Sequence, residues 1–264
     1  MTKRLLTSLA ILLVTVTACG GGGNTANNQP VESQANPIEW DRNPKTVVFQ
    51  ADVTGGNEDP FYALSDVAPC TIYGDNHIVW TNELAANDVQ VLEDRLSDEQ
   101  VRQFVRYAAL TKQIYKYTAK ADTVPLSETK PVVETLTLFV NSVNHKTDAF
   151  GGWDYEYYLD LLTNCQQISS APVLFAPTGA WITARAVDYN SDSPRQPWDA
   201  KANNLSLKDL AASGQPKWIT DRNVAVFWTM FLTSPKNMQF SEDNVQYNVA
   251  IQVPNITRDS PAAP

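Results

Sequence analysis

The chain has 264 residues, of which 43% are hydrophobic, 10% aromatic and 19% charged. This is the composition of an ordinary globular protein, and it excludes a disordered chain, a coiled coil, a collagen and a repeat array. The 29 acidic residues outnumber the 20 basic ones and give a formal charge of −9, which argues against a nucleic-acid partner because phosphate backbones are repelled.

The first 19 residues have the pattern of a bacterial lipoprotein signal peptide. Lys3 and Arg4 precede an uncharged run over residues 5–18, which is too short to cross a hydrocarbon core of about 30 Å as a helix. The run ends in the sequence VTAC, which resembles the bacterial lipobox. The resemblance implies cleavage before Cys19, diacylglycerol on its sulfur and an acyl chain such as palmitate on its amine. The alternative is an ordinary signal peptide with a chance cysteine, or a buried strand.

Residues 19–39 are predicted to be a flexible tether. Four glycines are followed by a segment rich in Asn, Gln, Thr and Ser without apolar periodicity. About 17 residues of such a chain span roughly 20–25 Å on average. The sequence therefore predicts an acidic, extracytoplasmic domain held at the cell membrane or outer membrane by the lipid on Cys19.

Two cysteines remain once Cys19 carries the lipid. In an oxidising compartment an even number predicts a disulfide, here between Cys70 and Cys165. Such a bond would close a loop of about 95 residues and stabilise the fold by about 4–5 kcal/mol. The alternative is two buried free thiols.

The first half of the domain reads as strands followed by a helix. A strand is predicted over 46–53, a hairpin over 71–80 with its turn at 74–77, and a strand over 89–96. Ser97 to Gln100 then forms a capping box. The apolar residues that follow fall on one helical face: Val101, Phe104, Val105 and Ala108.

The same order is predicted a second time. Strands at 135–140 and 146–150 flank a turn at 141–145, and a helix follows. The predicted buried face of that helix carries Tyr155, Tyr158, Leu159, Leu162 and Cys165.

The last part of the chain is predicted to contain a strand at 181–189, a polar loop at 190–204 and a short helix at 206–212. Residues 222–232 fit a helix and a strand; we favour a helix because Asp221 precedes them and Ser234-Pro235 follows. An alternating strand at 245–253 ends the fold.

This order predicts an α+β fold with a largely antiparallel sheet built from hairpins and three or four helices packed on it. The folded domain is predicted over residues 40–256, as one body or as two halves joined near 169–177. Residues 257–264 are predicted to be a loose tail.

The segment TIYGDNHIVW…RLSDEQVRQFV resembles a widespread set of uncharacterised bacterial lipoproteins. Those proteins carry a "tlYgDGrvi" hairpin followed by an "Ls..qvqqLl" helix. Where they have Asp-Gly in the turn, this chain has Asp75-Asn76, and Asn still tolerates a positive φ. The resemblance implies the fold and the location, and it implies no activity.

One loop has the oxygen donors that calcium prefers. Asp188, Asn190 and Asp192 occupy positions 1, 3 and 5 of an EF-hand-like loop, and Asp199 falls at position 12. Ser193 stands where such loops have Gly, and prolines interrupt the loop. The alternative is a polar surface loop rich in turn formers.

Three further sets of residues could carry function. The aromatic residues at 153–158 could form an exposed patch for sugars, with Trp198 of the polar loop as its most exposed member; the alternative is that these rings pack in the core. Two turn histidines, His77 and His145, would meet and could hold a metal ion if their hairpins lie side by side; the alternative is that both are solvated. The carboxylates that could form a glycosidase pair are Asp154, Glu156 and Asp160.

Two hypotheses follow. The first is a non-catalytic binding or interaction module at the cell envelope, with a protein or a glycan as its partner and no cofactor other than calcium. The alternative is a carboxylate-based hydrolase of envelope or extracellular polymer. The sequence favours the first because it contains no convergent catalytic motif.

Overall fold

The computed structural model describes residues 38–86, 88–121 and 130–264. The predicted signal peptide, Cys19 and nearly all of the predicted tether lie outside these residues. Among the described residues, no helix combines the length and the apolar character needed to cross a membrane.

The first sheet has seven antiparallel strands in the order β6-β5-β1-β2-β3-β4-β7. Its strands are β1 (Val47–Gly55), β2 (Cys70–Tyr73), β3 (His77–Ala85), β4 (Asp88–Arg95), β5 (Val132–Val140), β6 (Val143–Asp148) and β7 (Val173–Leu174). The predicted first strand, the β2–β3 hairpin and the strand at 89–96 are all confirmed.

Local turn chemistry sets the two hairpins. Asn76 adopts a φ of 65° in the β2–β3 turn, as expected for the Asp-Asn pair. In the second hairpin, Asn141 and Ser142 have φ values of 50° and 61° and close the turn by themselves. The predicted turn at 141–145 was therefore too long, and His145 lies within β6.

Two helices pack on one face of this sheet. Helix α2 (Asp98–Arg106) begins at the predicted capping box and continues as a π-helical turn, Tyr107–Thr111. The four residues predicted for its apolar face are all buried. In α3 (Tyr155–Gln166) the buried residues are Tyr158, Leu161 and Cys165. Tyr155 is 57% exposed, contrary to prediction, and its ring stacks on Tyr158 from the solvent side.

The second sheet has five strands in the order β10-β8-β12-β11-β9, antiparallel except for the β9–β11 pair. Its strands are β8 (Ala180–Val187), β9 (Arg195–Pro197), β10 (Lys217–Ile219), β11 (Gln239–Glu242) and β12 (Val245–Gln252). The predicted loop at 190–204 was wrong in part because it contains β9 and the four-residue helix α4 (Ala200–Asn203).

The fold is α+β, as predicted, with six helices among the described residues where three or four were expected. Helix α5 (Leu207–Ser213) begins at Ser206 and ends at Gly214 in the left-handed conformation. Residues Arg222–Thr233 form helix α6 with Asp221 as its cap, so the helix was the right choice there. The additional helices, α1 (Pro60–Ala63) and α4, are too short to create a periodic pattern.

Two hydrophobic cores join into one body. The first fills the space between α2, α3 and the seven-stranded sheet. The second lies around α5, α6 and the second sheet, and it also contains Tyr73, Val79 and Val91 from the first sheet. Because the first sheet contributes to both cores, Ile38–Pro264 form a single compact unit.

The predicted loose tail is tied to the domain. Thr257 is buried, and the Arg258 side chain donates to the Asp52 carboxylate and to the Val53 carbonyl, each at 2.9 Å. The Arg258 backbone N–H also donates to the carbonyl of Asp66 at 2.8 Å. The prediction failed because these partners lie about 200 positions away in the sequence.

Candidate functional site

Of the residues predicted to have a covalent role, Cys70 and Cys165 lie within the described part and form a disulfide. Cys70 begins β2 and Cys165 lies in the last turn of α3, and both are fully buried. The bond fixes α3 to the centre of the first sheet. Cys19, the predicted lipid attachment site, lies outside the described residues.

The predicted calcium ligands have other partners in the structure. The carbonyl of Asp188 accepts from Gln239, and the Asn190 side chain accepts from the Asp192 N–H at 2.9 Å. The Asp199 carboxylate caps α4 by accepting from the N–H of Ala202 at 2.9 Å. Across residues 38–86, 88–121 and 130–264, no three His, Cys, Asp or Glu side chains form a group that could hold a metal ion. Calcium binding stays a prediction that only a binding experiment can test.

The predicted aromatic patch is largely internal. Trp198 is 7% exposed, its ring stacks on Phe227 with centroids 5.0 Å apart, and its indole N–H donates to the carbonyl of Leu205. Trp153 and Tyr158 are also buried. The hypothesis of an exposed Trp198 was therefore wrong and the alternative of core packing holds for it, with packing partners from α6 and β11.

Two of the three carboxylates proposed for a glycosidase pair have other partners in the structure. Asp154 caps α3 by accepting from the Tyr157 N–H, and Glu156 is exposed. Asp160 forms an ion pair with Lys112 at 2.8 Å and accepts from the Tyr107 hydroxyl. Burial alone would raise the pKa of Asp160, but these two partners outweigh it and lower the pKa. Asp160 is thus held ionised and is unsuited to act as a general acid.

The two histidines do not meet. In the first sheet β5, β1 and β2 separate β6, which carries His145, from β3, which carries His77. At about 4.8 Å per strand the two lie roughly 19 Å apart. His77 contacts Glu93 at 2.8 Å, and His145 contacts the carbonyl of Ile114 at 3.0 Å.

The aromatic surface that the fold does create lies on the second sheet. Trp181 of β8 and Trp218 of β10 are cross-strand neighbours, and their rings meet edge to face with centroids 5.4 Å apart. The flanking residues Ala180 and Ile182 point into the second core, so the two indoles lie on the opposite face of the sheet. We call this pair the tryptophan groove.

Gly179 makes this arrangement possible. A Cβ atom at that position would lie 2.4 Å from the Trp218 ring, which is closer than any real contact. The indole of Trp218 therefore lies directly against the glycine backbone. Its N–H makes no hydrogen bond with any residue that the structure describes.

The C-terminal segment contacts the tryptophan groove through Trp181. After β12 the chain turns back, and the side chain of Gln252 donates to the carbonyl of Asp259 at 3.2 Å. The hydroxyl of Ser260 accepts from the Asn255 N–H, and the indole N–H of Trp181 donates to the carbonyl of Ala262 at 3.0 Å.

A cleft of about 460 Å³ is lined in part by Trp218, one of the two tryptophans. Its lining includes Phe175, Gly179 and Arg95, together with residues of the β2–β3 hairpin. Ala263 lies at its border. This volume is within the range of about 300–1,000 Å³ that is typical of ligand sites.

Two charged side chains that line the cleft, Arg95 and Asp75, form an ion pair. Arg95 donates to the Asp75 carboxylate and to the Asp75 carbonyl. Burial alone would raise the pKa of Asp75, but hydrogen bonds from Arg95 and from the His77 N–H outweigh it, so the pKa is lowered. Burial raises the pKa of Tyr73, whose neutral hydroxyl donates to the carbonyl of Asn255. The cleft thus offers donors and acceptors without excess positive charge.

Comparison with protein-family models, with curated proteins and with solved structures gave no match to this chain. The resemblance to uncharacterised bacterial lipoproteins therefore stays a prediction. Sequence reasoning also missed the tryptophan groove. The available signal was a pair of tryptophans, Trp181 and Trp218, each followed by an isoleucine that is buried in its strand.

Proposed function

We propose that this protein is a lipid-anchored, extracytoplasmic, non-catalytic binding module of a bacterial cell envelope. The observation that carries the proposal is the N-terminal pattern: a basic start, an uncharged run, the sequence VTAC ending at Cys19, and a glycine-rich tether. The lipid holds the chain at the cell membrane or outer membrane, and the tether lets the folded unit reach a partner nearby.

The disulfide supports the extracytoplasmic location. Cys70 and Cys165 are bonded and fully buried, and stable disulfides of this kind belong to oxidising compartments. The charge of −9 disfavours nucleic acid as a partner and favours a protein or a glycan.

The tryptophan groove and its cleft are the candidate binding surface. Partly exposed aromatic rings beside paired charges are typical of recognition surfaces, because the rings give contact area and the polar groups give specificity. The alternative, a carboxylate-based hydrolase, would need two free carboxylates in one cleft. Asp52 and Asp66 do border one cleft of about 650 Å³, but Arg258 and Lys236 hold them in ion pairs.

Cell fractionation and crosslinking test the proposal together. The full chain, produced in a bacterium, is expected in the membrane fraction, and the Cys19→Ser variant is expected to lose the lipid and its processing. A photo-crosslinking residue at Thr178, beside the cleft, is expected to capture an envelope partner. The same residue at Tyr189, which is 61% exposed, is the matched control. Equal lipid incorporation in wild type and Cys19→Ser, or equal capture at the two positions, would contradict the proposal.

A further inference from the structure

We propose that the tryptophan groove is a docking site for extended, proline-rich peptide segments, and that the chain's own C-terminal segment occupies it in this structure. The inference rests on the proposed function as a binding module and names the chemical class of its partner. The partner is a protein segment with two prolines separated by two small residues.

The occupant identifies the ligand class. Residues 261–264 read Pro-Ala-Ala-Pro, with prolines at the first and fourth positions. Proline fixes φ near −65° and removes an N–H donor, so such segments favour an extended polyproline conformation whose carbonyls point outward. One of these carbonyls, that of Ala262, accepts the indole N–H of Trp181 at 3.0 Å. An aromatic groove that donates to a carbonyl between two prolines is the chemistry by which proline-rich peptides are recognised.

The groove is built before any ligand arrives. The rings of Trp181 and Trp218 meet at 62° and form a corner. Trp218 is seated against Gly179, and both tryptophans belong to paired strands. A ligand therefore pays little entropy to order the site.

The site also has room for more than the residues now in it. The indole N–H of Trp218 has no partner among the residues that the structure describes, so it can serve as a second donor. The lining of the 460 Å³ cleft includes Ala263 of the tail, Phe175 and the Asp75–Arg95 pair. A partner segment can thus follow the path of the tail and continue into this cleft. Because Asp75 and Arg95 in the lining of the cleft are paired with each other, a segment without a large net charge fits it.

The intramolecular contact competes with any partner. Ser260 and Gln252 hold the chain just before Pro261, so the tail is presented to the groove at a high effective concentration. Effective concentrations of short tethers are in the millimolar range. A free peptide is therefore expected to bind much better once the tail is removed.

The test uses residues 24–264, which include the whole compact unit, and the same chain ending at Ser260. The probe is a synthetic acetylated peptide with the sequence of residues 258–264, RDSPAAP. Binding is followed by NMR of the indole N–H groups of the seven tryptophans. The truncated chain is expected to bind the peptide with shifts centred on Trp181 and Trp218, and the full chain about tenfold more weakly.

Two controls define the chemistry. Trp181→Phe in the truncated chain keeps a ring and removes the donor, and it is expected to weaken binding about tenfold. Tyr189→Ala removes an exposed aromatic side chain elsewhere on the surface and is expected to change nothing. A peptide with both prolines replaced by alanine is expected to bind more weakly than RDSPAAP. The signal of the buried Trp198 reports whether each variant is folded.

Three results would overturn the proposal: no binding of RDSPAAP to the folded truncated chain, equal binding of the alanine peptide, or a response to N-acetylglucosamine oligosaccharides in place of the peptide. If truncation unfolds the chain, exchange protection of the Trp181 indole N–H is measured in the full chain. That protection must fall in the Pro261→Ala/Pro264→Ala variant, and unchanged protection would refute the docking role of the prolines. The test uses no lipid, so its outcome is independent of the anchoring experiment.

Discussion

Gly179 is the residue on which the position of Trp218 depends. Gly179→Ala places a methyl group 2.4 Å from the indole, so the ring or the strand has to move. Overpacking of this kind costs about 1–3 kcal/mol. We expect a lower midpoint in urea unfolding and a shifted Trp218 indole signal. Thr178→Ala, at the neighbouring position, is the control; equal effects of the two substitutions would argue that Trp218 is not seated on Gly179.

Arg258 compensates the charge of the Asp52 carboxylate, whose ionised form burial disfavours. Burial raises the pKa of Asp52, although Arg258 and the Val53 N–H act to lower it. Since the folded pKa is above the unfolded one, folding favours the protonated form, and this contribution to stability is present at low pH and lost as pH rises through the folded pKa.

Arg258→Ala should therefore destabilise the fold in a pH-dependent way. Loss of the partner leaves a largely buried carboxylate uncompensated, which costs about 1–3 kcal/mol at neutral pH. The cost is expected to shrink on acidification, because Asp52 is then protonated. Urea unfolding at neutral and acidic pH measures the difference, and Asp52→Asn/Arg258→Ala should show no such dependence. A cost that stays constant or grows on acidification would be inconsistent with this role of Asp52.

Helix α3 and strand β2 are joined by the disulfide. Reduction, or Cys70→Ala/Cys165→Ala, opens a loop of 95 residues and is expected to cost up to about 4–5 kcal/mol by the chain-entropy model. Urea unfolding with and without reductant gives the value. A loss of unfolding free energy well below about 1 kcal/mol would mean that the packing of α3, and not the disulfide, holds this helix on β2.

Calcium binding by the loop between β8 and α4 is a separate prediction. The sequence pattern predicts that millimolar calcium raises the melting temperature relative to EDTA, and that Asp188→Ala/Asp192→Ala removes the rise. The linkage is direct, since a ligand that binds only the folded state stabilises it. A flat melting curve would dismiss the calcium hypothesis and leave these side chains with the hydrogen bonds they make in the structure.

Elements with local signals were predictable, and elements fixed by distant partners were not. Three local signals marked element boundaries correctly: the capping box at Ser97, the Asp75-Asn76 turn and the cap at Asp221. Each of them depends on residues that are close in the sequence. The burial of Trp198 depends on Phe227 and Phe240, which no local pattern connects to it.

The candidate site was missed for the same reason. The tryptophan groove arises only when β8 and β10 pair, although more than 30 residues separate Trp181 from Trp218 in the sequence. The tail that reaches the groove is held in part by the bond from Arg258 to Asp52 on the first sheet, a residue about 200 positions away in the sequence. Side-chain periodicity reports which face is buried, but it does not say which strands become neighbours.

At the scale of the whole molecule, the proposal joins an anchor, a tether and a folded unit. The two sheets share core residues, so the folded unit is expected to move as one body. Its acidic surface would keep it clear of anionic headgroups, and the lipid would provide the attachment.

Mass spectrometry of the N-terminal peptide tests this proposal most directly. The full chain is produced in a bacterium, extracted with detergent and digested. The account predicts a peptide that begins at Cys19 and carries diacylglycerol, with or without an additional acyl chain on its amine. A peptide that begins elsewhere, or an unmodified Cys19 in the mature protein, would contradict it.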